Sequence, residues 1–398
     1  MNSDAVLTHR QLAAPEGISI PRPDWDRAPW NRWTFQNVRT LVPTAQVWRG
    51  AEAASSLPPA HKDIDAIRFE IDGRSQTIGS FLADNYADGL LVLSKGVVVA
   101  ERYFNGMSAR ATHLSQSVAK SVVGTVAGIL AGRAVFDPGA PLTEYLPELE
   151  RTAYRGATVQ HVLDMTSGVV FDETYTTLDS HMAQMDVACG WKESENASWP
   201  RNVWDLILTL RQAECPHGAS FRYRSVETDV LAFVLQRASG RSIAELVSSE
   251  LWAPMGAEED AYFTVDPSGY ALANGGFNAT LRDYARFALL HLDGGRANGR
   301  QIVPSGWLDA TRSGGRHDLF SGAYRDVLPH GAYHNQFWIE DATRRSYMAR
   351  GVFGQMIYLD PDAEFGAVLL SSWPEFVSTK RSRTTLAALH AIRAALDE

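Results

Sequence analysis

The strongest constraint on this chain is one run, Ser117-Val118-Ala119-Lys120-Ser121-Val122-Val123-Gly124-Thr125-Val126-Ala127-Gly128-Ile129-Leu130, which stops near Gly132. It is too long and too continuously apolar for an ordinary strand, so it predicts a helix. Valine and glycine are mediocre helix formers, and a helix apolar on most faces is stable only when other elements cover it. The rest of the chain must therefore be built around this segment. Lys120 inside it would be costly to bury unless something compensates its charge.

Ser117 and Lys120 stand at i and i+3 and share a helix face. An amine at that position can activate a hydroxyl that is otherwise too weak a nucleophile, and desolvation would bring the amine toward neutrality as a base. A serine at a helix start also offers its own backbone N–H to a developing oxyanion. The combination suits acyl transfer. Spacing alone is a weak signal, because such a pair occurs by chance about once in a chain of this size and a serine at a helix start is more often a cap. The apolar context of Lys120 is what carries the inference. No GxSxG elbow, HExxH zinc motif or GxxxxGK[ST] phosphate loop is present in the sequence, so those three classes of hydrolase lose their central motif.

Composition narrows the partners. With 37 Lys+Arg against 46 Asp+Glu the 398-residue chain carries a formal charge of −9, which opposes a broad phosphate-binding surface, and nucleic acid is not an expected partner. Two cysteines, Cys189 and Cys215, form neither a CxxC nor a zinc-like cluster, and are expected to be free thiols. The first thirty residues hold no continuous apolar stretch, and no later run reaches eighteen apolar residues, so membrane is not expected as a partner and the expected location is the cytoplasm.

Along the chain, residues 1–35 mix Pro, Asp, Arg and Trp without periodicity and predict an arm anchored by Trp25, Trp30 and Trp33. Residues 88–104 predict two strands around Ser94-Lys95-Gly96. Helices are expected at 201–215, at 226–250 with a break, and over TLRDYARFALLHLDGG, with a long polar and aromatic loop at about 168–200. HNQFWIED, QMIYLDP and EFGAVLLSS read as strands, and the last twenty or so residues as a helix. Strands at both ends with helices between them predict an α/β chain of the α+β type. Its antiparallel sheet is flanked by helices and carries an inserted all-helical lobe. The lobes divide as about 36–110 with 270–398, and about 111–269, with the cleft between them as the default site.

Four segments in order, SVAKSVVGTVAGIL, FRYRSVETDVLAFVL, ANGGFNATLRDYARF and RGVFGQMIYLDP followed by LLSSWP, resemble the serine beta-lactamase and penicillin-binding-protein superfamily. The likeness is strongest to its class C-like esterase branch and to the 6-aminohexanoate-dimer hydrolases, and runs from about Trp33 onward. It implies a beta-lactamase/transpeptidase-like fold. It also implies Ser117 as nucleophile, Lys120 as base and Tyr223 as a second hydroxyl exchanging protons with Ser117 or the leaving group, with the immediate base either Lys120 or the Tyr223 phenolate. Ser225 would support that network, and Tyr175 would contact an amide substrate or serve in packing. Asn274 would be a hydrogen-bond partner, and Gly275 and Gly276 would allow a tight backbone path. Where the penicillin-processing pattern has Lys-Thr-Gly, this chain has Ala349-Arg350-Gly351, which puts recognition of a beta-lactam carboxylate in doubt. The backbone N–H of Val352, beyond Gly351, would still complete an oxyanion hole with that of Ser117, whereas Arg350 is either a substitute cation or a solvated strand-end arginine.

The resemblance thus implies a serine hydrolase that cleaves carboxylic esters or linear amides such as 6-aminohexanoate dimer through an acyl-enzyme, with no metal or organic cofactor. The alternatives are a beta-lactamase or D-alanyl-D-alanine carboxypeptidase, and a catalytically silent binding protein on the same scaffold. The expected partners are a small-molecule ester or amide and, at most, a second copy of the chain in a homodimer.

Overall fold

The computed structural model describes residues 20–397, and the first nineteen residues of the expected arm lie outside that range. In chain order, the elements that position the site are β1 (Thr44–Val47), β2 (Ala87–Ser94), β3 (Val97–Tyr103), β4 (Thr112–Leu114) and the long helix α1 (Val118–Gly132). They continue with α2 (Ser225–Ser239), β5 (Ala261–Thr264), β6 (Phe277–Thr280) and α3 (Leu281–Leu292). The last are β7 (Ala332–His334), β8 (Phe337–Asp341), β9 (Ser346–Gly351), β10 (Gln355–Asp360), β11 (Phe365–Ser371) and α4 (Thr379–Asp397).

A seven-stranded antiparallel sheet in the order β7-β8-β9-β10-β11-β2-β3 joins the early hairpin to the late strands. β2 is buried along its whole length. Leu91 and Leu93 enter the core shared with α1 and α3, while Leu90 and Val92 enter the core under α4. Because both faces are covered, this strand reads as a continuous apolar run where a half-wet antiparallel strand would alternate. On the α4 side Leu386, Leu389 and Ile392 pack near Tyr358, Phe365 and Leu369, each such aliphatic side chain contributing about 1.5–3 kcal/mol by burial. The mixed α/β fold, with its antiparallel core, flanking helices and helical lobe, is that of the beta-lactamase/transpeptidase architecture.

The low-propensity helix α1 is buried from Val118 to Leu130, as its composition demanded. A Cβ on Gly124 would lie 2.5 Å from the Asn335 carbonyl oxygen, so this glycine permits the close approach of the chain between β7 and β8.

Three local expectations are corrected. The helix expected at 201–215 is only Val203–Thr209, because Leu210 is extended and Ala213 forms an antiparallel bridge with Val169. The long loop contains a helix, His181–Ala188, whose start is capped by Ser180. Of the three tryptophans expected to anchor the arm, only Trp25 is buried; its indole N–H donates to the Trp191 carbonyl at 3.2 Å. Asn31 and Phe35, both fully buried, hold this segment in place of Trp30 and Trp33. A second antiparallel sheet, β1-β5-β6-β4, brings residues before α1 together with residues from 261–280. It carries the chain directly into the turn before Ser117.

Candidate active site

The approach to α1 is strained. Gln116 has φ 50°, a left-handed conformation that costs a non-glycine residue of order 1 kcal/mol and concentrates at functional sites. Ser117 follows at the helix N-cap, yet its side chain makes no capping bond. Its hydroxyl is engaged from behind, where Lys120 Nζ donates to Ser117 Oγ at 2.8 Å, and Lys120 also donates to the backbone carbonyl of Asn274. Lys120 is 1% exposed. Burial lowers its pKa to about 8, while the negative charges of Glu173 and Asp229 act in the opposite direction. The amine is thereby poised to give up and accept protons near neutral pH.

Asn274 does not line the cleft. Its amide donates to Asp229 Oδ2 at 2.7 Å and its backbone N–H to Oδ1 at 3.2 Å. Tyr270 adds a third donor at 2.9 Å. Burial raises the Asp229 pKa against the pull of these donors and of Lys120. Asp229 therefore fixes Asn274, and the Asn274 carbonyl in turn fixes Lys120.

Tyr223 lines the same cleft as Ser117. Its ring stacks on Trp338 at 5.2 Å and 22°, and the Lys120 ammonium lies 5.2 Å from its centroid. Burial pushes its phenol well above the usual range, so the neutral form is favoured.

Gly351 explains how the strand end reaches the turn before Ser117. A Cβ there would run into the Ser115 carbonyl oxygen, so only glycine lets the end of β9 lie against the turn before Ser117. This close approach sets the Val352 backbone beside Ser117 in one cleft of about 670 Å³, whose lining also includes Glu173, Tyr175, Tyr223, Trp338, Arg350 and Phe376. The Ser117 N–H, in the first turn of α1, has no intrahelical acceptor.

Two acidic residues of the site went unselected in the sequence. Glu173 accepts from Tyr175 OH at 2.8 Å, from Ser225 Oγ at 2.5 Å and from the Ser225 N–H at 2.9 Å. It is thereby clamped at the start of α2. The other is Asp229. Their signals are the acid two places before Tyr175 and the two carboxylates, Glu227 and Asp229, in a helix whose middle is the apolar run Val230–Leu235. Tyr175 lines the cleft and stacks on Phe376 at 5.2 Å. Lys120, Ser225 and Asn274 lie behind the lining.

This arrangement brings a serine hydroxyl, a buried amine and a tyrosine phenol together at one cleft. Comparison with known proteins gives the same direction, since residues 76–392 match the Beta-lactamase family. The chain belongs to the beta-lactamase family. Membership makes it an enzyme of the serine-hydrolase superfamily, acting on esters or amides through an acyl-enzyme. It is 36% identical over 353 residues to the 6-aminohexanoate-dimer hydrolase of Paenarthrobacter ureafaciens, covering 88% of each chain. A solved structure described as a candidate 6-aminohexanoate-dimer hydrolase from Bacillus anthracis superposes with TM-score 0.88 at 27% identity, over 97% of this chain and 99% of that one. A family VIII carboxylesterase shares the fold alone, with TM-score 0.59 at 16% identity over 79% of this chain and 95% of that one. Among the described residues no helix is long and apolar enough to cross a membrane.

Proposed function

We propose that this beta-lactamase-family chain is an amidase and esterase working in the cytoplasm on small linear substrates, with 6-aminohexanoate dimer as the specific amide. Lys120 takes the Ser117 proton as Oγ attacks the carbonyl carbon. The Ser117 and Val352 backbone N–H groups hold the resulting oxyanion. The proton then passes through Tyr223 to the departing nitrogen or oxygen, leaving an ester on Ser117 that water hydrolyses. Lys120 is the immediate base, because its pKa lies near neutrality whereas the Tyr223 phenol is held far above it. Both lobes act as one catalytic unit.

The observation that carries this reading is the 2.8 Å contact from Lys120 Nζ to Ser117 Oγ within a buried helix, where Ser117 makes no cap bond. Similarity to the Paenarthrobacter ureafaciens enzyme supports the amide substrate. The Ala349-Arg350-Gly351 sequence disfavours the beta-lactamase or carboxypeptidase reading.

The test is a kinetic panel of p-nitrophenyl butyrate, 6-aminohexanoate dimer and nitrocefin, run on the parent, Ser117→Ala and Tyr223→Phe. Dimer and ester turnover is expected to fall by at least about 10⁴-fold in Ser117→Ala. Parental turnover in that variant would overturn the mechanism, and nitrocefin cleavage without dimer cleavage would overturn the substrate.

A further inference from the structure

The main chain at Tyr223 has no regular element to hold it. Residues 221–224 lie outside helix and strand, and Arg224 is extended just ahead of α2. The Arg222 N–H donates to the Met165 carbonyl at 3.1 Å, and the Arg222 carbonyl accepts from the Arg224 guanidinium at 3.2 Å. Tyr223 is tied elsewhere. Its N–H donates at 3.2 Å to a side chain, the hydroxyl of Tyr324, 101 places on.

Tyr324 belongs to a short helix, Ala323–Val327, in the connection that leads to β7, and it lines the cleft with Ala323 and Val327. Its ring packs 5.1 Å from Phe221 and 5.7 Å from Trp338. Tyr324 thus grips residue 221 through its ring and residue 223 through its hydroxyl. The connection is pinned from inside by Phe320 and Leu328, both buried. Trp338, on β8, stacks on the Tyr223 ring. The phenol therefore has its main chain tied to one element and its ring plane to another. A proton donor must stay within hydrogen-bond reach of the atom it serves, and small displacements cost rate steeply. An N–H deprived of its acceptor has to find another or move.

We infer that Tyr324 is a positioning residue: its hydroxyl fixes the main chain at Tyr223 and so sets how well the phenol delivers a proton to the leaving group. The inference rests on the proposed role of Tyr223. As the bond to the leaving group breaks, its electron pair stays on the departing oxygen or nitrogen, which takes the Tyr223 proton. The phenolate then regains a proton from the Lys120 ammonium formed when Ser117 attacked. An acidic alcohol departs as its anion without that help, so the contribution of Tyr324 grows with the basicity of the leaving group.

The test is a series of butyrate esters, p-nitrophenyl, phenyl, trifluoroethyl and ethyl, run on the full chain, Tyr324→Phe and Tyr223→Phe. In Tyr324→Phe, kcat/KM is expected to fall at least about tenfold for the ethyl ester and about threefold or less for the p-nitrophenyl ester. Its plot against leaving-group basicity should therefore steepen, and steepen further in Tyr223→Phe. Titration of Ser117 with a fluorophosphonate, which loses fluoride without a proton, counts the folded sites, so that each rate is expressed per active molecule even where a variant folds poorly. An equal loss on all four esters is the mark of a merely structural role and would overturn the inference, as would an unchanged slope. If Tyr223→Phe steepens the plot and Tyr324→Phe does not, the inference alone falls. If Tyr223→Phe leaves the slope as it is, the role of Tyr223 and the inference fall together.

Discussion

The floor of the site and its roof are built differently. The floor, Ser117 with Lys120, Asn274 and Asp229, sits on α1, on α2 and in the segment before β6, where each group is buried and hydrogen-bonded to the next. The roof, Glu173 and Tyr175, comes from a loop and is joined to the body at two places, Ser225 and Phe376. Chemistry needs a fixed geometry and has been given helices. The roof hangs on the side-chain contacts of a loop, the kind of segment that varies most freely on a rigid scaffold. Both regions nevertheless act on the same amine, because Glu173 and Asp229 each hold the Lys120 pKa up against burial.

That shared target gives ways to break the contrast. Lys120→Ala removes the proposed base, and kcat/KM is expected to fall about 10²–10⁴-fold. In the parent the neutral amine is the active form, so kcat/KM should rise with pH, level off above about pH 8, and fall about tenfold per unit below it. The same inflection in Lys120→Ala would show that another group is the base. Asp229→Asn brings an amide against the Asn274 side chain. A loss of about 1–3 kcal/mol in denaturant unfolding is expected, with roughly tenfold lower kcat and an inflection moved below pH 8 because a negative charge near Lys120 is gone. Glu173→Gln should move the inflection in the same direction with the smallest change in stability, and raise KM about threefold through a looser Tyr175. If Glu173→Gln destabilised the fold as much as Asp229→Asn, the distinction between floor and roof would fail.

The parts legible in the sequence are those whose physics is local. α1 was readable from one apolar run, and β2 and β3 from two runs around a glycine turn. The sheet β1-β5-β6-β4 escaped notice because β4 has three residues and the others four, too short for any period to show. Ser117 and Lys120 are three places apart and visible together. Glu173 and Ser225 are 52 places apart, and Asp229 and Asn274 are 45 apart, so their meaning is set only once the chain has folded. Arg350 was ambiguous for the same reason. A lone arginine at a strand end says nothing until Trp338 and Ser382 are seen to meet it.

The pairing of β2 with β11 also has a consequence in time. During synthesis Ser117 is made in the first third of the chain, but Val352 and the strand β11 emerge more than two hundred residues later. A nascent chain released before residue 371 therefore carries a serine and a lysine with no hydrolase around them. Hydrolytic activity should switch on only when the last strand has been threaded into the sheet, a late event that favours slow folding over early function.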